Sequence, residues 1–172
     1  MFRSAVAAFK PAAAAVRRVH TENRIKELGY TLPAVATPKG NYRNVVRSGN
    51  LLFTAGHLPQ PAGGELIKGK VGEDLTAEQG YEAARHVALA VCATLKQELG
   101  DLDRVKRIVK VVGFVNCVDG FTAQPSVING FSDTVGEIFG ERGVHARSAV
   151  GTNALPLGIP VEVECIVEVE DK

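Results

Sequence analysis

The chain has 172 residues, 45% of them hydrophobic and 23% charged, with a formal net charge of +1. That length fits one well-packed core and falls short of two ordinary domains, and charges mixed in sign along it exclude a long disordered tail and a strongly basic, nucleic-acid-binding surface. No window approaches the ~20 apolar residues of a membrane span, and Cys92, Cys117 and Cys165, odd in number and far apart, suggest neither a disulfide framework nor a CxxC zinc site.

Residues 1–20, MFRSAVAAFKPAAAAVRRVH, carry Arg3, Lys10, Arg17 and Arg18 and no acidic residue. This acid-free, alanine-rich stretch reads as a mitochondrial transit peptide, because Lys10 and Pro11 interrupt the apolar run that a secretory signal needs. Losing its four positive charges takes the formal +1 to −3. The domain over residues 21–172 is therefore expected in the mitochondrial matrix, mildly acidic, with no phosphate-tracking surface.

Thr21 is placed to cap a short helix over residues 22–28, with Gly29 as the residue that ends it and Pro33 beyond. Residues 44–46 and 51–54 are short apolar runs around Ser48-Gly49-Asn50 and predict a hairpin. A third strand is expected over residues 65–71. The clearest helix begins at Thr76, where Thr-Ala-Glu-Gln has the form of a capping box; Tyr81, Ala84, Ala88, Val91, Cys92, Leu95 and Leu99 follow helical spacing before Gly100.

Residues 107–117, rich in valine and isoleucine, read as a long strand closed by the Asp119-Gly120 turn. Pro125 suits the first position of a second main helix, whose apolar stripe is Ile128, Phe131, Val135, Ile138 and Phe139 and whose stop is Gly140. Strands over residues 146–152 and 161–170 complete the chain, the latter alternating Val161, Val163, Cys165, Val167 and Val169 with glutamates and Ile166. This order predicts an α+β domain: a mixed sheet with both main helices packed on one face. Ile166, on the glutamate-rich side, suggests that the other face is covered by another subunit.

No GxxxxGK[ST], HExxH, GxSxG or GxGxxG motif occurs, and none of His20, His57, His86 and His145 pairs at metal-ligand spacing. Neither a metal nor a cofactor is expected, and His86 and His145 read as surface or structural residues. What remains is the final third: Ala146-Arg147-Ser148-Ala149-Val150-Gly151, Leu155-Pro156-Leu157-Gly158, and Val161-Glu162-Val163-Glu164. By itself, Arg147 on a strand reads as one partner of a surface ion pair with Glu162 or Glu164.

The Arg-Ser pair, the Leu-Pro eight and nine residues after Arg147, and the Val-Glu-Val-Glu strand closely resemble the RidA family, also called YjgF/YER057c or L-PSP endoribonuclease-like. Gly40-Asn41-Tyr42 and Phe53-Thr54-Ala55-Gly56-His57-Leu58-Pro59 are similar to that family's Gly-Pro-Tyr and Ser-Gly-Gln-(Ile/Leu)-Pro segments. The resemblance implies a chorismate-mutase-like fold assembled as a homotrimer, with sites in the clefts between subunits. It implies that Arg147 binds the carboxylate of a 2-imino or 2-enamino acid and that Glu162 positions water, which would release ammonia and a 2-oxo acid without cofactor or metal. Gly56, Ser148 and Ala149 would line the substrate pocket, Tyr42 would close it, and Asn129 is the nearest match to a pocket asparagine. Ala149 stands where many of the family's deaminases have cysteine, and His57 where glutamine is usual. A non-catalytic trimer that senses a small carboxylate fits the same arginine, and ribonuclease activity, attributed to parts of the family, ranks behind both because the sequence offers neither a histidine pair nor a basic groove.

Overall fold

The computed structural model describes residues 20–170; the leader read over residues 1–20 lies outside them, except for His20. Helix α1 (Thr21–Glu27) is capped by His20, whose carbonyl oxygen accepts the N–H groups of Asn23 and Arg24 at 2.9 and 3.0 Å. Thr21 is helical and serves another purpose than the expected cap: its N–H and hydroxyl donate to Asp103 Oδ1 at 2.9 and 2.5 Å, which pins α1 to the body. Gly29, at φ +73°, ends the turn as expected.

The hairpin forms as β1 (Val45–Ser48) and β2 (Leu51–Thr54). The strand expected over residues 65–71 does not. Gly69, at φ +129°, breaks the extended path and sends its N–H to the Gly158 carbonyl, and Val71 alone makes isolated bridges, to Leu75 and Cys117. Helix α2 (Ala77–Leu99) has the expected capping box, with Thr76 Oγ1 accepting the Gln79 N–H at 3.2 Å and Gln79 Oε1 accepting the Thr76 N–H at 2.8 Å. Strand β3 (Val105–Asn116) begins earlier than expected, and helix α3 (Gln124–Phe139) begins one residue before Pro125. Strands β4 (Ala146–Thr152) and β5 (Val161–Val169) follow.

The sheet order is β1-β2-β5-β3-β4. All neighbours are antiparallel except β3 and β4, the pair that α3 links by a parallel crossover. One face is apolar and covered: Leu52, Ile108, Val111, Val161, Val163 and Val167 have no exposed surface and join one core with Val87, Leu95, Ile128 and Phe131 of the helices. Burial of each such side chain contributes roughly 1.5–3 kcal/mol. The two main helices approach closely at Gly130, where a Cβ would stand 2.0 Å from the Tyr81 carbonyl oxygen; only a residue without a side chain permits that contact.

No helix among the described residues covers the other face. Register places Val46 beside Phe53, Phe53 beside Ile166, and Ile166 beside Lys110, with Glu164–Val112–Ser148 and Glu162–Phe114–Val150 as further rows. Val46 and Phe53 at one edge and Val150 at the other remain 41–54% exposed there, apolar patches of the kind that mark an interaction surface.

Candidate functional site

Arg147 lies on the edge strand β4 in register with buried Val111, so its side chain leaves the sheet on the helix-covered side. There α3 presents Asn129 and Ser132, one turn apart. Arg147 Nη1 donates to Asn129 Oδ1 at 2.8 Å and to Ser132 Oγ at 2.9 Å, which uses both hydrogens on that nitrogen. No carboxylate among the described residues forms an ion pair with it. The surface ion pair with Glu162 or Glu164 is overturned: both glutamates project from the opposite face, in register with Phe114 and Val112. What the guanidinium keeps available is its Nε–Nη2 edge, two parallel donors matched to a carboxylate.

Beside the arginine is a cavity of about 370 Å³ lined by Ser132, Gly136, Gly143, Val144, His145 and Arg147. His145 places Nδ1 2.6 Å from the Gly143 carbonyl oxygen and Nε2 3.1 Å from Ser132 Oγ. Burial, opposed by the Gly143 bond and aided by the Arg147 charge, holds its pKa below the ordinary histidine value.

Glu162 belongs to a second cavity of about 400 Å³, with Tyr42, Asn44, Gly56, His57 and Leu157 in its wall. Its carboxylate rests on the Gly56 backbone so closely that a Cβ at Gly56 would lie 1.8 Å from Oε1. Burial, and then the neighbouring Glu164 charge, raise the Glu162 pKa; Lys39 lines the same cavity, but no residue among those described forms an ion pair with the carboxylate. Tyr42 is 55% exposed at the rim. His57 is buried, with Nδ1 2.8 Å from the Ala55 carbonyl oxygen and Nε2 2.8 Å from Thr94 Oγ1. Since a carbonyl only accepts, Nδ1 carries the proton and Nε2 takes the Thr94 hydroxyl hydrogen. Burial lowers the His57 pKa against that backbone bond.

The residues expected to form one site thus divide in two within the chain. Arg147 and Asn129 stand together, Ala149 follows on the same side in register with Gly113, and Tyr42, Gly56 and Glu162 share the other cavity. Ser148 faces the uncovered side and accepts a hydrogen bond from Lys110 Nζ at 2.9 Å. Sequence reasoning missed Ser132 beside Arg147 and Thr94 in the second cavity, read His145 as a surface or structural residue, and had His57 and Leu157 only as motif positions. The Asn129–Ser132 spacing of one helical turn was the available signal. Leu157 adopts φ +60°, a left-handed backbone that favours glycine.

His20, Glu22, Asp101 and Asp103 bring ligand-type atoms within 4.8 Å of one another. Their bonds are those of helix docking: Asp101 Oδ1 accepts the Asp103 N–H at 2.8 Å, Glu22 Oε1 accepts the Leu102 N–H at 3.1 Å, and Asp103 holds Thr21. No helix among the described residues is long and apolar enough to cross a membrane.

Comparison with known proteins matches residues 22–169 to the family described as "YjgF/chorismate mutase-like, putative endoribonuclease". Protein TCP17 of Trypanosoma cruzi is 46% identical over 148 residues, covering 86% of this chain and 92% of that protein. The crystal structure of Atu1372 from Agrobacterium tumefaciens, a protein of unknown function, superposes with a TM-score of 0.81 at 42% identity, covering 87% of this chain and 92% of that one. A Shewanella oneidensis structure titled "putative endoribonuclease" gives a TM-score of 0.84 at 35% identity, covering 88% of this chain and all of the other. With the sheet order, the paired helices and the motif residues in place, the chain belongs to the YjgF/RidA family, with its chorismate-mutase-like fold.

Proposed function

We propose that the protein is a hydrolytic deaminase of reactive 2-imino and 2-enamino acids, acting without cofactor or metal as a homotrimer in the mitochondrial matrix. One observation carries the reading. A partly buried guanidinium with a free two-donor edge and a partly buried carboxylate that forms no ion pair among the described residues stand on opposite faces of one sheet. Each half-site lacks what the other supplies. Association through the uncovered apolar face would bring Arg147 of one subunit to Glu162, Gly56 and Tyr42 of the next.

In that cleft the arginine fork holds the substrate carboxylate and so fixes the adjacent C2=N bond. The reacting form is the iminium ion, C2=NH2+, which an imino acid reaches by taking a proton from solvent at nitrogen and an enamino acid by taking one at C3. Water attacks C2; the C–O bond forms, the C=N electron pair moves to nitrogen, and Glu162 accepts the water proton. Its pKa, raised by burial and by Glu164, makes the carboxylate a better proton acceptor than an ordinary glutamate. Returned to nitrogen, the proton makes ammonia the leaving group. The C–N bond breaks, and the hydroxyl proton is lost as the 2-oxo acid forms.

A second reading, a trimeric sensor of small carboxylates, shares the Arg147 clamp. It draws support from Ala149, which offers no side-chain hydrogen bond, and from His57, whose ring nitrogens are both engaged internally. The ribonuclease wording in a relative's title describes that relative; here His57 and His145 line separate cavities. The deciding assay is ammonia release from freshly generated 2-iminobutanoate with and without protein. Acceleration that disappears in Arg147→Ala supports the deaminase. Binding of 2-oxobutanoate through Arg147 with no ammonia above background, from this or other imino acids, replaces the deaminase with the sensor.

A further inference from the structure

Ser132 Oγ stands between two partners, accepting from Arg147 Nη1 at 2.9 Å and lying 3.1 Å from His145 Nε2. The other nitrogen of that ring, Nδ1, is 2.6 Å from the Gly143 carbonyl oxygen. A carbonyl oxygen only accepts, so Nδ1 holds a proton, and in the neutral ring Nε2 is an acceptor. The Ser132 hydroxyl hydrogen then points at His145, which turns the Ser132 lone pairs toward the guanidinium. Phe131 meets the imidazole edge-on, with centroids 6.3 Å apart and planes at 80°, and restrains its plane. Gly143 thus orients His145, His145 orients Ser132, and Ser132, with Asn129, orients Arg147.

We propose that His145 is a positioning residue for Arg147, acting through Ser132, and that carboxylate binding at Arg147 is coupled to proton uptake at His145. The proposal rests on Arg147 being the carboxylate clamp. Facing His145 are Arg147 from β4, Ser132, Phe131 and Gly136 from α3, and the Gly143 carbonyl from the turn before β4. No carboxylate among the described residues forms an ion pair with the imidazole. Burial and the Arg147 charge both disfavour its protonation, against the Gly143 bond. A carboxylate on the arginine fork cancels that charge and removes one of the two obstacles. Protonated, Nε2 becomes a donor to Ser132 Oγ, which still accepts from Arg147 and now has its hydroxyl hydrogen free for the ligand in the shared cavity. Linkage is reciprocal, so binding tightens as pH falls through the His145 transition, below the ordinary value of 6.5.

The test is calorimetric titration of the full chain with 2-oxobutanoate at about pH 8 and about pH 5.5, alongside NMR titration of the His145 ring. In wild type, affinity should rise roughly fivefold on acidification, and the His145 resonance should titrate at higher pH in the complex than in the free protein. H145Q keeps a side-chain contact to Ser132 and cannot titrate; it should lose less affinity than H145A at the higher pH and lack the histidine-linked rise. Glu162 still titrates in H145Q, so the difference between the two proteins is the readout. S132A should resemble H145A, and the double variant should bind no worse than either single one. If R147A abolishes binding while H145Q keeps the wild-type pH profile, the coupling falls and the clamp stands. If R147A binds 2-oxobutanoate as wild type does, the clamp falls with it.

Discussion

Arg147 and Glu162 lie on opposite faces of the same sheet, the first in register with buried Val111 and the second with Phe114 on the uncovered side. No rotamer change within one chain carries a strand side chain through the sheet to the other face. A site that uses both therefore takes them from two subunits, and this can be tested by complementation. R147A and E162Q should each be inactive alone. Co-assembled at random in equal amounts, they should recover roughly a quarter of wild-type turnover, because about one interface in four joins an intact arginine to an intact glutamate. No recovery from verified mixed trimers would overturn the shared site.

The geometry at Nη1 makes a sharp statement about lysine. Two hydrogens of the guanidinium go to Asn129 and Ser132 while a separate edge faces outward; an ammonium has three donors on one atom and cannot hold two α3 acceptors and a bidentate carboxylate at once. Arg147→Lys should fail nearly as badly as Arg147→Ala, losing on the order of 2–4 kcal/mol of transition-state stabilisation, or roughly 30- to 1,000-fold in kcat/KM. Circular dichroism should show both variants folded. A lysine variant within about threefold of wild type would remove the bidentate clamp.

Glu162 carries a cost to the fold that has a definite pH dependence. Burial and Glu164 raise its pKa above the ordinary value of 4.5, so the folded chain holds this proton more tightly than the unfolded chain does. Below about 4.5 both states are protonated and nothing is lost; as pH rises through the folded-state value the ionised form is disfavoured and stability declines. In a dissociated subunit, where no neighbour's Arg147 stands beside it, Glu162→Gln should therefore melt higher than wild type near neutral pH, with the gap closing as pH drops below about 4.5. The same variant should lower turnover more than it weakens 2-oxobutanoate binding, because the role proposed for the carboxylate is to act on water during the reaction. Parallel melting curves at every pH would show that Glu162 is solvated rather than confined.

Much of this arrangement was legible in the sequence because local signals agreed with tertiary structure. Thr76 and Gln79, Gly100 and Gly140 bounded the two main helices, and the alternation of Val161 through Val169 named the covered face of β5. The expected strand over residues 65–71 failed because Gly69 takes a conformation that pattern alone does not reveal. The site was half legible. Arg147 and Glu162 stood out by motif, but the face each occupies depends on register with β3. Ser132 joins His145 and Arg147 only because α3 lies against the edge strand, a contact between residues well apart in sequence; His145 is two residues from Arg147, but nothing in the pattern showed that the two share a partner.

Two glycines separate folding from chemistry. At Gly130 a Cβ would meet backbone, the Tyr81 carbonyl oxygen at 2.0 Å, where neither helix can yield without moving as a whole. Gly130→Ala should cost about 3 kcal/mol of stability. At Gly56 the obstruction is the end of a side chain: Glu162 Oε1 at 1.8 Å, Cδ at 2.6 Å and Cγ at 2.9 Å. Glu162 can swing toward solvent, so Gly56→Ala should fold with a melting temperature within a few degrees of wild type. The displaced carboxylate would no longer stand beside the imine carbon, and misplacement by an ångström or more should cost roughly 10- to 100-fold in kcat. If Arg147 is the clamp on the other side of the cleft, affinity for 2-oxobutanoate should change by less than about threefold. Loss of kcat without loss of binding would place Glu162 against the reacting atoms; unchanged kcat in a folded Gly56→Ala protein would remove Glu162 from the chemistry and leave a binding site built on Arg147.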